Sequence, residues 1–180
     1  YVGNPSVDSV AYYKEHQAIP KDTFIKEEGL ANKPILALLS GSRKQEIKDN
    51  LPTMLKVASA YPDYQPVIAG APGIDPAYYQ EYIGSYPAKI VFGKTYPLLQ
   101  HSAAALVTSG TATLETALFR VPQVVCYYVV AGQLASFIFK HFFHTKYISL
   151  VNLIGGREIV QELFGARFSE SQIQDELGRI

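Results

Sequence analysis

The sequence predicts an α/β protein built on a doubly wound parallel sheet, and three observations carry that prediction. Short apolar runs recur along the chain without polar alternation, as strands covered on both faces require. A segment of helical spacing follows each run. Glycine-containing turns join the two kinds of segment at Ser40-Gly41-Ser42-Arg43, Phe92-Gly93-Lys94-Thr95 and Ser109-Gly110-Thr111. Such a βα succession implies right-handed crossovers and ligands held in the crevice beyond the carboxyl ends of the strands.

In chain order, Asn4-Pro5 pairs a capping residue with a proline suited to a first helical turn, and predicts a helix to about His16. Lys21 to Leu30 reads as a second short helix, ended by Gly29 to Lys33. Strands are expected at Ile35 to Leu39, Gln65 to Ala69, Lys89 to Phe92, Ala103 to Val107 and Gln123 to Tyr128. The helices between them are expected near Arg43 to Tyr61, Pro76 to Ser85, Tyr96 to His101 and Thr111 to Phe119. Val121 to Phe139 carries no charge over a length that nearly spans a bilayer. Pro122, Gln123, Gly132, Gln133 and Ser136 break that run, so a buried strand, a turn and a helix from Leu134 to Phe143 explain it better. The stretch from Phe137 to Lys146 is aromatic nearly all round with cationic tips, which suits a core or a subunit interface, as in a homodimer, or contact with a membrane surface. Near the end, Gly155-Gly156 reads as a break before a helix holding Arg157, Gln161 and Glu162.

Composition narrows the function classes. With 180 residues, 48% hydrophobic and 18% charged, the chain suffices for one domain with a sizeable core and does not read as disordered. Sixteen basic residues balance sixteen acidic ones, so net charge favours neither nucleic acid nor an anionic membrane, and an anion site must be local. Cys126 has no second cysteine to pair with and sits in an apolar run, as a buried thiol of a reducing compartment does. Four scattered histidines do not make zinc spacing.

The chemistry is expected at the strand ends. In Ala105 to Phe119 the period changes from strand to helix at Gly110; Ser109 and Thr111 are N-cap types, and a helix start of this kind suits a phosphate. Glu115, one turn further on, could accept hydrogen bonds from two sugar hydroxyls. Taken alone, the stretch is equally an ordinary capped helix with a favourably placed acid. Gly41 permits a tight exit from the first strand, Ser42 could cap the next helix, and Arg43 offers a fork of donors to a phosphate. Gly93 and Lys94 could present backbone groups to a base. Neither Gly-x-Gly-x-x-Gly nor Gly-x-x-x-x-Gly-Lys-Ser/Thr occurs, so the dehydrogenase and P-loop readings have no support. Together the turns resemble a nucleotide-diphosphate site.

Leu-Leu-Ser-Gly-Ser-Arg-Lys-Gln-Glu-Ile at 38–47, Thr-Ser-Gly-Thr-Ala-Thr-Leu-Glu at 108–115 and Ser-Leu-Val-Asn-Leu-Ile-Gly-Gly-Arg-Glu at 149–158 resemble, in order and spacing, the lipid-A-disaccharide synthase family. The resemblance covers essentially the whole chain, from Val2-Gly3-Asn4-Pro5, which is similar to that family's Val-Gly-His-Pro linker, but only the family's second half. It implies the C-terminal, Rossmann-like domain of a GT-B glycosyltransferase: one nucleotide-sugar-binding domain over 1–180, with 1–5 as linker and 145–180 as the late motif and the start of closing helices. The implied reaction is inverting transfer from UDP-2,3-diacylglucosamine to 2,3-diacylglucosamine 1-phosphate, without metal or cofactor, in the cytoplasm or at the inner face of the inner membrane. By the resemblance, Gly41, Ser42, Arg43, Ser109, Gly110, Thr111 and Glu115 hold the donor, and Asn152, Arg157 and Glu158 stand at the donor or acceptor edge. The catalytic base would come from a missing N-terminal domain. The family usually has Pro at Ser40, Asp at Ala103 and a basic residue at Tyr128. Competing readings are a UDP-N-acetylglucosamine 2-epimerase-like or other GT-B enzyme, and a non-catalytic nucleotide-sugar-binding module.

Overall fold

The structure is a computed structural model that describes residues 3–108, 110–128 and 147–180. Its elements run α1 (Pro5–His16), α2 (Lys21–Glu27), β1 (Ile35–Leu39), α3 (Lys44–Ser59), β2 (Gln65–Gly70), α4 (Pro76–Ile83), β3 (Lys89–Phe92) and α5 (Thr95–His101). Then follow β4 (Ser102–Val107), α6 (Thr111–Leu118), β5 (Gln123–Tyr127), α7 (Leu150–Gly155), β6 (Glu162–Phe164), a single 3₁₀ turn and α8 (Glu170–Leu177). All strand pairs are parallel, in the order β3-β2-β1-β4-β5-β6. That order reverses between β1 and β4, which makes the gap beyond their carboxyl ends the topological switch point.

Period-two alternation divides the apolar side chains between two cores. Leu36, Leu38, Ile68, Leu106 and Cys126 face one layer with Ile47, Leu51 and Met54 of α3 and Ile173 of α8. Ile35, Ala37, Val67, Ala105 and Val107 face the other with Phe24 of α2 and Leu98 and Leu99 of α5. Every residue of β1 is buried, as its uninterrupted apolar run requires.

The late segment departs from the sequence expectation. Helix α7 precedes the Gly155-Gly156 pair rather than following it, and Gly156 closes it in the left-handed conformation (φ 64°). Residues 157–161 form a loop, and Glu162 opens the three-residue strand β6, whose run is too short for periodicity to signal. Ser109, the linker residues Tyr1 and Val2, and the aromatic stretch from Phe137 to Lys146 lie outside the described residues. Among the described residues no helix is long and apolar enough to cross a membrane.

Cys126 lies wholly inside the sheet, and burial pushes its thiol up to about 12. At pH 8 the thiolate is then on the order of a thousandfold scarcer than for an exposed cysteine. Iodoacetamide should therefore label the native protein slowly and the urea-unfolded protein fast; equal rates would contradict this packing.

Candidate functional site

Two helices start at the switch point, and they treat their exposed N–H groups differently. The turn after β1 passes through Gly41 at φ 111°, where a Cβ would lie 2.5 Å from the Glu46 Cβ. That space admits the Glu46 carboxylate, whose Oε2 accepts from the Ser42 N–H at 2.8 Å and the Arg43 N–H at 3.3 Å. Arg43, not Ser42, occupies the cap position of α3, and Glu46 seals the helix start from within. The Arg43 guanidinium stands 3.5 Å from the other Glu46 oxygen with its side chain 83% exposed, so it remains available to an incoming anion.

At α6 the cap residue is Gly110 (φ 116°), Thr111 is the first helical residue, and among the described residues no side chain caps the helix. Of the two cap-type residues, Thr111 lies inside the helix and Ser109 outside the described residues, and the cap is a glycine that offers only backbone. Thr113 turns inward, its Oγ1 donating to the Gly110 carbonyl at 2.9 Å. Among the described residues nothing compensates the positive pole at the start of α6, and a Cβ on Gly110 would meet none of them within 4 Å.

Gly41, Ser42, Arg43, Gly110, Thr111 and Glu115 line one hollow of about 380 Å³, with the end of β2, Thr95 and Thr108. The Thr108 hydroxyl, buried at the end of β4, has no hydrogen-bond partner among the described residues. Glu115 Oε1 accepts from the Tyr96 hydroxyl at 3.0 Å. Burial first, and then the Glu115 charge, push the Tyr96 phenol up to about 12. Gly93 and Lys94 share this edge of the sheet, yet Thr95 is the residue of their turn that reaches the hollow, while the Lys94 ammonium lies 3.8 Å from Glu27.

The late motif is built differently from the expectation. Asn152 is fully buried: its Oδ1 accepts from the N–H groups of Ile159 and Val160 at 2.7 and 3.0 Å. Its Nδ2 donates to the Val160 carbonyl at 2.8 Å and to Glu162 Oε1 at 2.9 Å. Every hydrogen-bonding position of the amide is therefore occupied by protein. Glu162 in turn accepts from the N–H groups of Ile148 and Ser149 and from the Ser149 hydroxyl. Asn152 ties the loop into β6. Glu158 lines a separate hollow of about 460 Å³ with Arg120 and Gln123, where β5 begins, and Arg157 is exposed on the same loop. The structure does not bring Arg157 or Glu158 to the strand-end hollow. The larger hollow has no open helix start, so the smaller one is the candidate site.

The sequence model of lipid-A-disaccharide synthetase matches residues 1–178. The chain belongs to the lipid-A-disaccharide synthetase family. It is 31% identical over 185 residues to the lipid-A-disaccharide synthase of Solibacter usitatus, a match that covers 100% of this chain and 46% of that protein. The synthase of Anaeromyxobacter dehalogenans (strain 2CP-1) is 34% identical, over 89% of this chain and 44% of that one. The chain thus spans a little under half the length of these relatives. Among solved structures, the S. aureus MnaA-UDP co-structure superposes with a TM-score of 0.61 at 13% identity, covering 98% of this chain and 44% of that one. A family 9 glycosyl transferase of Veillonella parvula gives 0.54 at 13% identity, over 99% and 52%. These likenesses show the fold, the Rossmann-like α/β domain of GT-B proteins.

In this member of the synthetase family, Tyr128 donates its N–H to Asn50 and packs edge-on against Phe168, which anchors the end of β5. Tyr96 is the site residue that sequence reasoning missed, because its partner is Glu115, nineteen positions further on. Replacing Asn152 by Ala strands buried donors and acceptors and should lower stability by about 2 to 3 kcal/mol in urea denaturation. A loss under about 0.5 kcal/mol would contradict the structural role.

Proposed function

We propose that this chain is the donor-binding half of an inverting glycosyltransferase that moves 2,3-diacylglucosamine from UDP to 2,3-diacylglucosamine 1-phosphate. The observation that carries this reading is the convergence of a helix start, an exposed guanidinium and a carboxylate on one hollow at the switch point. The family and its synthase relatives support the reaction, and the UDP named for the S. aureus structure supports the donor class.

The first turn of α6 takes the diphosphate, Arg43 swings from Glu46 onto its charge, and Glu115 accepts from the ribose hydroxyls. In the transfer, the acceptor's 6-hydroxyl oxygen bonds to the sugar's anomeric carbon as the bond to the diphosphate oxygen breaks. The α6 pole and Arg43 stabilise the charge that develops on the departing UDP. The hydroxyl proton passes to a base on the other half of the complete protein, which also seats the acceptor. Both substrates carry acyl chains, which accords with work at the cytoplasmic face of the inner membrane.

Calorimetry tests the donor site. Glu115→Gln should weaken UDP binding about ten- to a hundredfold, the equivalent of roughly 1.5 to 3 kcal/mol for lost charge-assisted hydrogen bonds. Unchanged affinity in a folded variant would remove Glu115 from the site. The isolated chain should bind UDP yet release none from UDP-diacylglucosamine and acceptor, because the base alone contributes on the order of 10² to 10⁴ in rate. Disaccharide formed by the isolated chain would overturn the division of labour.

A further inference from the structure

We propose that Tyr96 is the positioning residue of the site, fixing the Glu115 carboxylate so that one oxygen is reserved for the hydroxyls of a ribose. The proposal rests on the reading that the hollow holds a nucleoside diphosphate. Its geometry is independent of that reading. The Tyr96 hydroxyl donates to Glu115 Oε1 at 3.0 Å, while Oε2 has no partner among the described residues and Glu115 lines the hollow. A carboxylate without a partner samples several rotamers, and that freedom is lost when a ligand binds. A donor on Oε1 freezes the side chain beforehand.

Tyr96 is itself held. Its ring meets Tyr13 of α1 edge-on at 5.5 Å and Phe119, just past α6, at 5.4 Å. The Tyr13 hydroxyl donates to Gln100 at 2.7 Å, which ties that ring to α5 as well. Three elements therefore set the direction of one phenolic O–H. With its phenol pushed up to about 12, Tyr96 stays a donor throughout the neutral range, so the brace does not switch with pH. The consequence is specificity: a pre-aimed Oε2 rewards vicinal hydroxyls and gains nothing from a deoxyribose.

The experiment compares UDP with 2′-deoxy-UDP and 3′-deoxy-UDP by calorimetry on the full-length protein. Tyr96→Phe keeps the ring and removes the donor. It should weaken UDP about three- to tenfold, the worth of one hydrogen bond, while barely moving at least one deoxy analogue, so that their ratio shrinks. In a Glu115→Ala background the same change should do nothing further. If Tyr96→Phe lowers all three affinities alike, or leaves the ratio unaltered, Tyr96 is only a packing residue. If the unmodified protein binds none of the three, the nucleotide reading falls and the proposal with it. A wild-type protein that binds UDP and discriminates, with no response to Tyr96→Phe, overturns the proposal alone.

Discussion

Adjacent parallel strands that send their crossovers to opposite faces of a sheet must leave a gap between them, and the carboxyl edge of this protein is arranged around that gap. Helix α3 leaves β1 for the face containing Leu36 and Leu38, whereas α6 leaves β4 for the face containing Ala37 and Val107. Their starts are pulled apart at the one place where β1 and β4 are adjacent. The hollow is therefore a product of topology before any polar residue is considered. What the polar residues decide is how the hollow is charged.

Each helix start is a positive pole worth about half an elementary charge, and two facing one another would attract anions without discrimination. Glu46 removes one of them, reaching back to the N–H groups of Ser42 and Arg43 through a space that only glycine at 41 leaves free. Position 110 is the counterpart with no such acid, and its pole is left for a ligand. A single carboxylate thereby turns two equivalent anion sites into one, with Arg43 as a mobile supplement.

How much of this was legible depends on the range of the interaction. Strands β1 and β3 match their expected bounds, and in β1 burial on both faces writes an unbroken apolar run into the sequence. Gly110 and Gly41 were visible as turns, and they do meet in one hollow. Direction was harder: Gly155-Gly156 signals a break equally well as the end of α7 or as the start of a helix, and only the left-handed Gly156 settles it. The polar residues of the late motif look like a site in one dimension. Asn152 and Glu162 instead satisfy one another inside the protein, a distinction that spacing cannot make. Tyr96 was hidden for the opposite reason, since an aromatic in a helix's first turn resembles any core residue until its distant acceptor is known.

Helix α1 has a bearing on how the chain is made. Its Lys14 ammonium donates to the Leu118 carbonyl at 2.7 Å and lies over the Phe119 ring, 104 positions away in sequence. During synthesis at about 5–20 residues per second, α1 therefore leaves the ribosome on the order of 5–20 s before its docking surface exists. It must wait without aggregating, which its composition allows: within Pro5–His16 only Ser6, Val10 and Tyr13 become buried in the finished protein. Helix α1 is thus made well before the surface it docks on, and its arrival closes the far end of the helix whose near end faces the hollow.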